Sequence, residues 1–156
     1  MKKSILAIGL GLATLAVATS RVQAHCQIPC GIYDDPARFT LMLEHITTIE
    51  KSMKLIAELA GKHDAASANQ LARWVVNKEH HANEFTEIVT YYFLAQRVKP
   101  VESSAGAAHR AYLGKLELLH RMMVHAMKAK QTADLSHVKA LRSLVDSFKK
   151  AYLQAK

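Results

Sequence analysis

From Pro36 to the end of the chain, apolar residues recur every three to four positions, and this period constrains the fold more than any other feature. Only a helix gathers residues at that spacing onto one face. Phe39, Leu43, Ile46, Ile49, Met53, Ile56 and Ala60 form a first stripe that stops at Gly61. Asp35 is suited to cap that helix, and Pro36 to fill its first position, where a missing amide proton costs nothing. A second stripe opens at Asp64 or Ser67 and runs through Leu71, Trp74, Val75, Phe85, Ile88, Val89, Tyr92 and Phe93 to Pro100, with a kinked or frayed end expected there. Ser103 or Ser104 opens a third helix carrying Tyr112, Leu116, Leu119, Met123 and Met127. Asp134 opens a fourth, carrying Leu135, Val138, Leu141, Val145, Phe148 and Tyr152. No stretch reads as a strand, so the expected fold is all-α, an antiparallel four-helix bundle in which these Met and aromatic residues are core. The adjacent pairs Val75-Val76 and Tyr91-Tyr92 widen the apolar face beyond one stripe and point to contact with another subunit.

The chain ahead of the bundle has a different character. Lys2 and Lys3 precede an apolar run from Ile5 to Ala18, and Val22-Gln23-Ala24 places small residues at the third-last and last positions before His25. This is the pattern of a Sec-type signal peptide over 1–24, with cleavage before His25. The apolar run is shorter than the ~20 residues a spanning helix needs, so no stable membrane association is expected after cleavage. Export to the periplasm follows. The remaining 25–156 is long enough for one domain with a real core. Cleavage removes Lys2, Lys3 and Arg21, leaving 18 basic against 13 acidic side chains. That surplus can steer a small anion. No basic block interleaved with aromatic residues appears, and no nucleic-acid partner is expected.

Cleavage also makes His25 the first residue of the run His25-Cys26-Gln27-Ile28-Pro29-Cys30-Gly31-Ile32-Tyr33, which holds both cysteines of the chain. A Cys26–Cys30 disulfide is the plain expectation in an oxidising compartment, yet it closes too small a loop to stabilise much. The alternative is a metal. The His25 amine and the Cys26 amide nitrogen form one five-membered chelate ring, and the Cys26 thiolate closes a second. Pro29 and Gly31 favour a turn that returns the Cys30 thiolate to the same plane, and the His25 imidazole is placed to approach axially. Two nitrogens and two sulfurs in a plane suit Ni(II) or Cu(II), whereas zinc prefers four tetrahedral side chains and competes on affinity. Anionic thiolate and amide donors make a higher oxidation state reachable, which favours a redox role.

The run His-Cys-x-x-Pro-Cys-Gly-x-Tyr, read here as His25, Cys26, Pro29, Cys30, Gly31 and Tyr33, resembles the nickel hook of nickel superoxide dismutases. The resemblance implies a four-helix bundle assembled as a homohexamer, a nickel ion as cofactor and superoxide as substrate. It further implies that His25 supplies amine and imidazole, Cys26 amide and thiolate, and Cys30 thiolate, with Tyr33 over the open face ordering water and small anions. Ni(II)/Ni(III) cycling would turn superoxide into dioxygen and hydrogen peroxide. Gln27 stands where the family often has an acidic residue, so that carboxylate is missing here. In well-known members a glutamate on the first helix and an arginine on the second hold the axial imidazole. Glu44 is the candidate for the former; at the arginine's expected place stands His81, with Arg73 about two turns away as the other candidate.

Two further readings compete. Glu117-Leu118-Leu119-His120 has the spacing of carboxylate-bridged dimetal bundles and Asp134-Leu135-Ser136-His137 imitates it, but Asp134 is better explained as a cap. His80 with His81, and His120 with His125, do not share a helix face well and read as solvated or interface histidines. The non-enzymatic rival is a periplasmic nickel or copper carrier using the same hook, which would release its metal to a competitor where a dismutase retains it.

Overall fold

The structure, a computed structural model, describes residues 35–154. Helix α1 spans Asp35–Leu59 and α2 spans Ala65–Glu87, continuing without a break into a π-helical segment, Ile88–Arg97. A single 3₁₀ turn, Ser103–Ala105, leads into α3, Ala107–Gln131, and α4 covers Ser136–Leu153. No strand occurs among the described residues. Each helix packs on its neighbours in sequence, and α4 returns to α1. Cross-helix pairs fix the directions: Asp35 meets Tyr92 and Ser52 meets Asn77 between α1 and α2, while Asp35 meets Tyr152 and Glu50 meets Arg142 between α1 and α4. Both pairings run antiparallel, as an up-down-up-down bundle requires.

Local chemistry sets the ends. Asp64 caps α2, its carboxylate accepting from the Ser67 amide at 2.9 Å, the reciprocal of an orphan helix donor. Ahead of α4 the N-cap is Leu135, without a side-chain cap; Asp134, expected as the cap, lies one residue further out and accepts from the Ser136 amide at 2.8 Å and the Ser136 hydroxyl at 2.6 Å. Ser103 and Ser104, expected to open the third helix, lie instead in the 3₁₀ turn, and Gly106 at φ 58° makes the entry to α3. That left-handed backbone is where glycine is needed. The expected fraying before Pro100 does not occur: the chain keeps its winding as a π-helix, closed by the Val98 amide on the Phe93 carbonyl at 2.8 Å.

The core follows a three-four alternation on α1, with Phe39, Met42, Ile46, Ile49 and Met53 wholly buried. Met42 takes the inward place assigned to Leu43, and on α3 Met122, Ala126 and Ala129 are buried where Met123 and Met127 were expected. An aromatic cluster closes the end of the bundle at which α1 begins. Phe39 and Phe93 have ring centroids 4.9 Å apart, Phe93 and Phe148 5.0 Å, and Phe93 and Tyr152 5.5 Å. Full burial of such a ring contributes about 1.5–3 kcal/mol.

At the other end the α1–α2 hairpin outruns its partners. No residue between Met53 and Lys78 is buried. Lys78 marks where the four-helix cross-section starts: its side chain is 7 % exposed, and its ammonium donates to the Lys130 carbonyl at 2.5 Å and the Thr132 carbonyl at 3.2 Å. A cation at a helix C-terminus satisfies orphan carbonyls and meets the negative end of the helix dipole. Beyond it, Val75 and Val76 are exposed.

Candidate functional site

The residues expected to bind the metal, His25, Cys26 and Cys30, together with Tyr33, lie outside the described residues. What the structure gives is the platform those residues lead into, beginning at Asp35. Its carboxylate is buried, with 3 % of the side chain exposed. Oδ1 accepts from the Tyr92 hydroxyl at 2.6 Å and the Arg97 Nε at 3.0 Å; Oδ2 accepts from an Arg97 terminal nitrogen at 2.9 Å and the Tyr152 hydroxyl at 3.0 Å. Burying a carboxylate is costly unless its charge is paired and its oxygens are hydrogen-bonded, and here both oxygens are.

The π segment makes this possible. In an α-helix, residues five apart point ~140° away from one another, so Tyr92 and Arg97 would face different sides. An i→i+5 winding brings residues five apart close to the same face. Burial and the hydrogen bond to Asp35 push the Tyr92 hydroxyl up to about 12, so it stays protonated and donating. The Tyr152 hydroxyl is raised by burial, with the Arg97 hydrogen bond opposing. Arg97, bonded to Asp35, holds its charge more firmly than a free arginine. The Arg38 guanidinium lies 4.8 Å from the Tyr92 ring centroid and adds a cation–π contact.

Of the residues considered for supporting an axial imidazole, His81 has a partner the sequence reading missed. Its Nδ1 lies 2.9 Å from Nδ1 of His45 on α1. His45 occupies a buried position beside Ile46, and a polar residue on an apolar stripe was the signal that could have found it. Burial, then His81, lowers the His45 pKa against the opposing charges of Glu84 and Glu44; burial, then His80, lowers that of His81 against Glu84. Glu44 itself is exposed and lines a groove on α1 with Ala37, Arg38, Thr40 and Leu41. Arg73 is exposed on the protruding part of α2, eight residues or ~12 Å of helix rise from His81.

The other metal readings do not assemble. Glu117 and His120 are exposed, with Glu117 3.6 Å from Arg121, and Asp134 is engaged by Ser136. His125 pairs with His137, not His120, Nδ1 to Nδ1 at 3.3 Å. Among the described residues no group of three or more His, Cys, Asp or Glu side chains is placed to hold a metal ion. The donors suited to one are those of the sequence 25–30, where amine, imidazole, amide and two thiolates fit a Ni(II) ion by their chemistry.

The fold defines an all-α bundle protein, and the donors that precede it in sequence are those of a redox-active transition metal. The chain belongs to the nickel-containing superoxide dismutase family, whose sequence profile it matches over residues 20–156. It is accordingly an oxidoreductase with a nickel cofactor and superoxide as substrate. No curated protein and no solved structure matches the chain. The matched span includes the whole run from His25 to Tyr33, and membership speaks for the enzyme over the metal carrier.

Proposed function

We propose that this superoxide dismutase works through a nickel hook formed by its own N-terminus once residues 1–24 are removed. The carrying observation is that the family match takes in a run whose donors sit at chelating distance in sequence. His25 contributes amine and imidazole, Cys26 its amide nitrogen and thiolate, and Cys30 its thiolate. Alternate oxidation of one superoxide to dioxygen and reduction of the next, with two protons, to hydrogen peroxide is the chemistry nickel supplies when bound. The chain's part is to make that chemistry accessible: the anionic thiolates and amide donate strongly enough to stabilise a higher oxidation state. Tyr33 screens the open face and orders water and the small anion there.

Support for the His25 imidazole is assigned to His81, braced by His45, because that pair is partly buried and joins α1 to α2, whereas Glu44 and Arg73 point to solvent. The net positive charge favours approach of an anion in a salt-dependent way. The signal-like segment 1–24 supports a periplasmic location. A homohexamer is the proposed assembly, and the hairpin beyond Met53 and Lys78, where no residue is fully buried within the protomer and Val75 and Val76 are exposed, offers surface for it.

Adding one residue before His25 tests the hook, because it turns the amine ligand into an amide while leaving every side chain in place. Nickel binding is expected to be lost with helical circular dichroism intact; unchanged nickel content would sink the hook.

A further inference from the structure

We propose that Asp35 is a positioning residue for the metal hook: gripped by Tyr92, Arg97 and Tyr152, it fixes the point and direction from which the hook leaves the bundle. This rests on the hook reading for its consequence at nickel, but its structural half stands alone.

Three features carry it. Asp35 is the first residue of α1 and lies five positions after Cys30 and two after Tyr33. A short tether limits reach: five residues, even fully extended, span at most ~18 Å, so the place of Asp35 bounds where Cys30 can lie. The grip comes from two other parts of the bundle, the π segment and the end of α4, so Asp35 is triangulated and cannot move without breaking bonds on both. The cost of the arrangement is also telling. A buried carboxylate and a π winding are both unfavourable unless something is gained, since an apolar residue on a plain α-helix would hold α1 to its neighbours at least as well. A helix start that only needed capping would be served by an exposed aspartate, as Asp64 serves α2.

The test compares the His25-terminated protein with Asp35→Asn, with the milder Tyr152→Phe, and with Met53→Ala, which weakens the core far from Asp35. Hydrogen exchange of the amides of Phe39, Thr40, Leu41 and Met42, the first to be bonded within α1, is read first, in metal-free protein. Asp35→Asn is expected to speed it about tenfold, and Tyr152→Phe by less, as losses of charge-assisted hydrogen bonds do; Met53→Ala leaves it unchanged relative to the rest of α1. With nickel bound, Asp35→Asn shifts the ligand-field absorption and releases the ion to a chelator about tenfold faster, an effect of the same class of lost interaction, while Met53→Ala changes neither. Unchanged exchange in both Asp35→Asn and Tyr152→Phe overturns the grip, and so does an equal effect of Met53→Ala. Faster exchange with the nickel spectrum and release unchanged overturns the positioning role. If the wild-type protein takes up no nickel, the hook reading fails, and the exchange measurement still decides whether Asp35 fixes the helix start.

Discussion

His45 and His81 face each other across the α1–α2 interface with their Nδ1 atoms 2.9 Å apart. One nitrogen must donate and the other accept, so the contact survives only while at least one of the two rings is neutral.

The pair makes stability depend on pH. Both imidazoles have folded-state pKa values below 6.5, chiefly through burial. His125 is lowered in the same way, by burial and then by His137. A lowered histidine pKa means that the unfolded chain binds more protons, so stability is complete above pH 6.5 and is lost as pH falls through the folded values. Each proton taken up on unfolding contributes a slope of about 1.4 kcal/mol per pH unit. Urea midpoints measured from pH 8 to pH 5 should fall in this window, and His81→Gln should flatten the fall. Identical slopes in the two proteins would contradict the assignment.

Lys78 provides a second test, within the bundle itself. Lys78→Met keeps the buried stem but leaves the Lys130 and Thr132 carbonyls without their donor. A loss of about 1–3 kcal/mol in urea unfolding is expected, with fraying at the end of α3 seen as faster amide exchange there. Stability within experimental error of the parent would show that water replaces the ammonium at no cost.

Phe93 is expected to be the costliest single truncation at the end where α1 begins, since its ring touches Phe39, Phe148 and Tyr152. Phe93→Ala should cost about 3–5 kcal/mol, whereas Val76→Ala, on the exposed arm, should stay within about 0.5 kcal/mol for the isolated protomer. Equal effects in denaturant melts would mean that the core is not where burial puts it.

The helical period made most of this bundle legible. Four helices, three connections and nearly the whole inward face of α4 can be read from spacing because Val138, Leu141, Val145, Phe148 and Tyr152 keep to one stripe. Errors arose where two apolar residues stand side by side. Nothing local says whether Leu43 or Met42, Met123 or Met122, turns inward; the neighbouring helix decides. The π segment was read only as a weak end, because its i→i+5 bonds leave no period of their own in ten residues. The polar support was least legible of all. Asp35 looked like a cap, and nothing singled out His45 or Lys78, since a buried polar group is recognised only when its partners, 36 to 117 residues away, are in place. The donors expected at 25–33 depend on no such partners: their chemistry is written in consecutive residues.

Tyr33 separates access from construction. Tyr33→Phe should keep the nickel content of the parent and change saturation by superoxide or sensitivity to peroxide. Loss of metal in this variant would assign the hydroxyl a part in holding the hook instead.

The most direct measurement is metal content by mass spectrometry on protein whose first residue is verified as His25. The account predicts nickel at about one ion per chain, the stoichiometry of a single closed chelating site. Zinc or copper in its place, or a metal-free Cys26–Cys30 disulfide in protein grown with nickel, would contradict it.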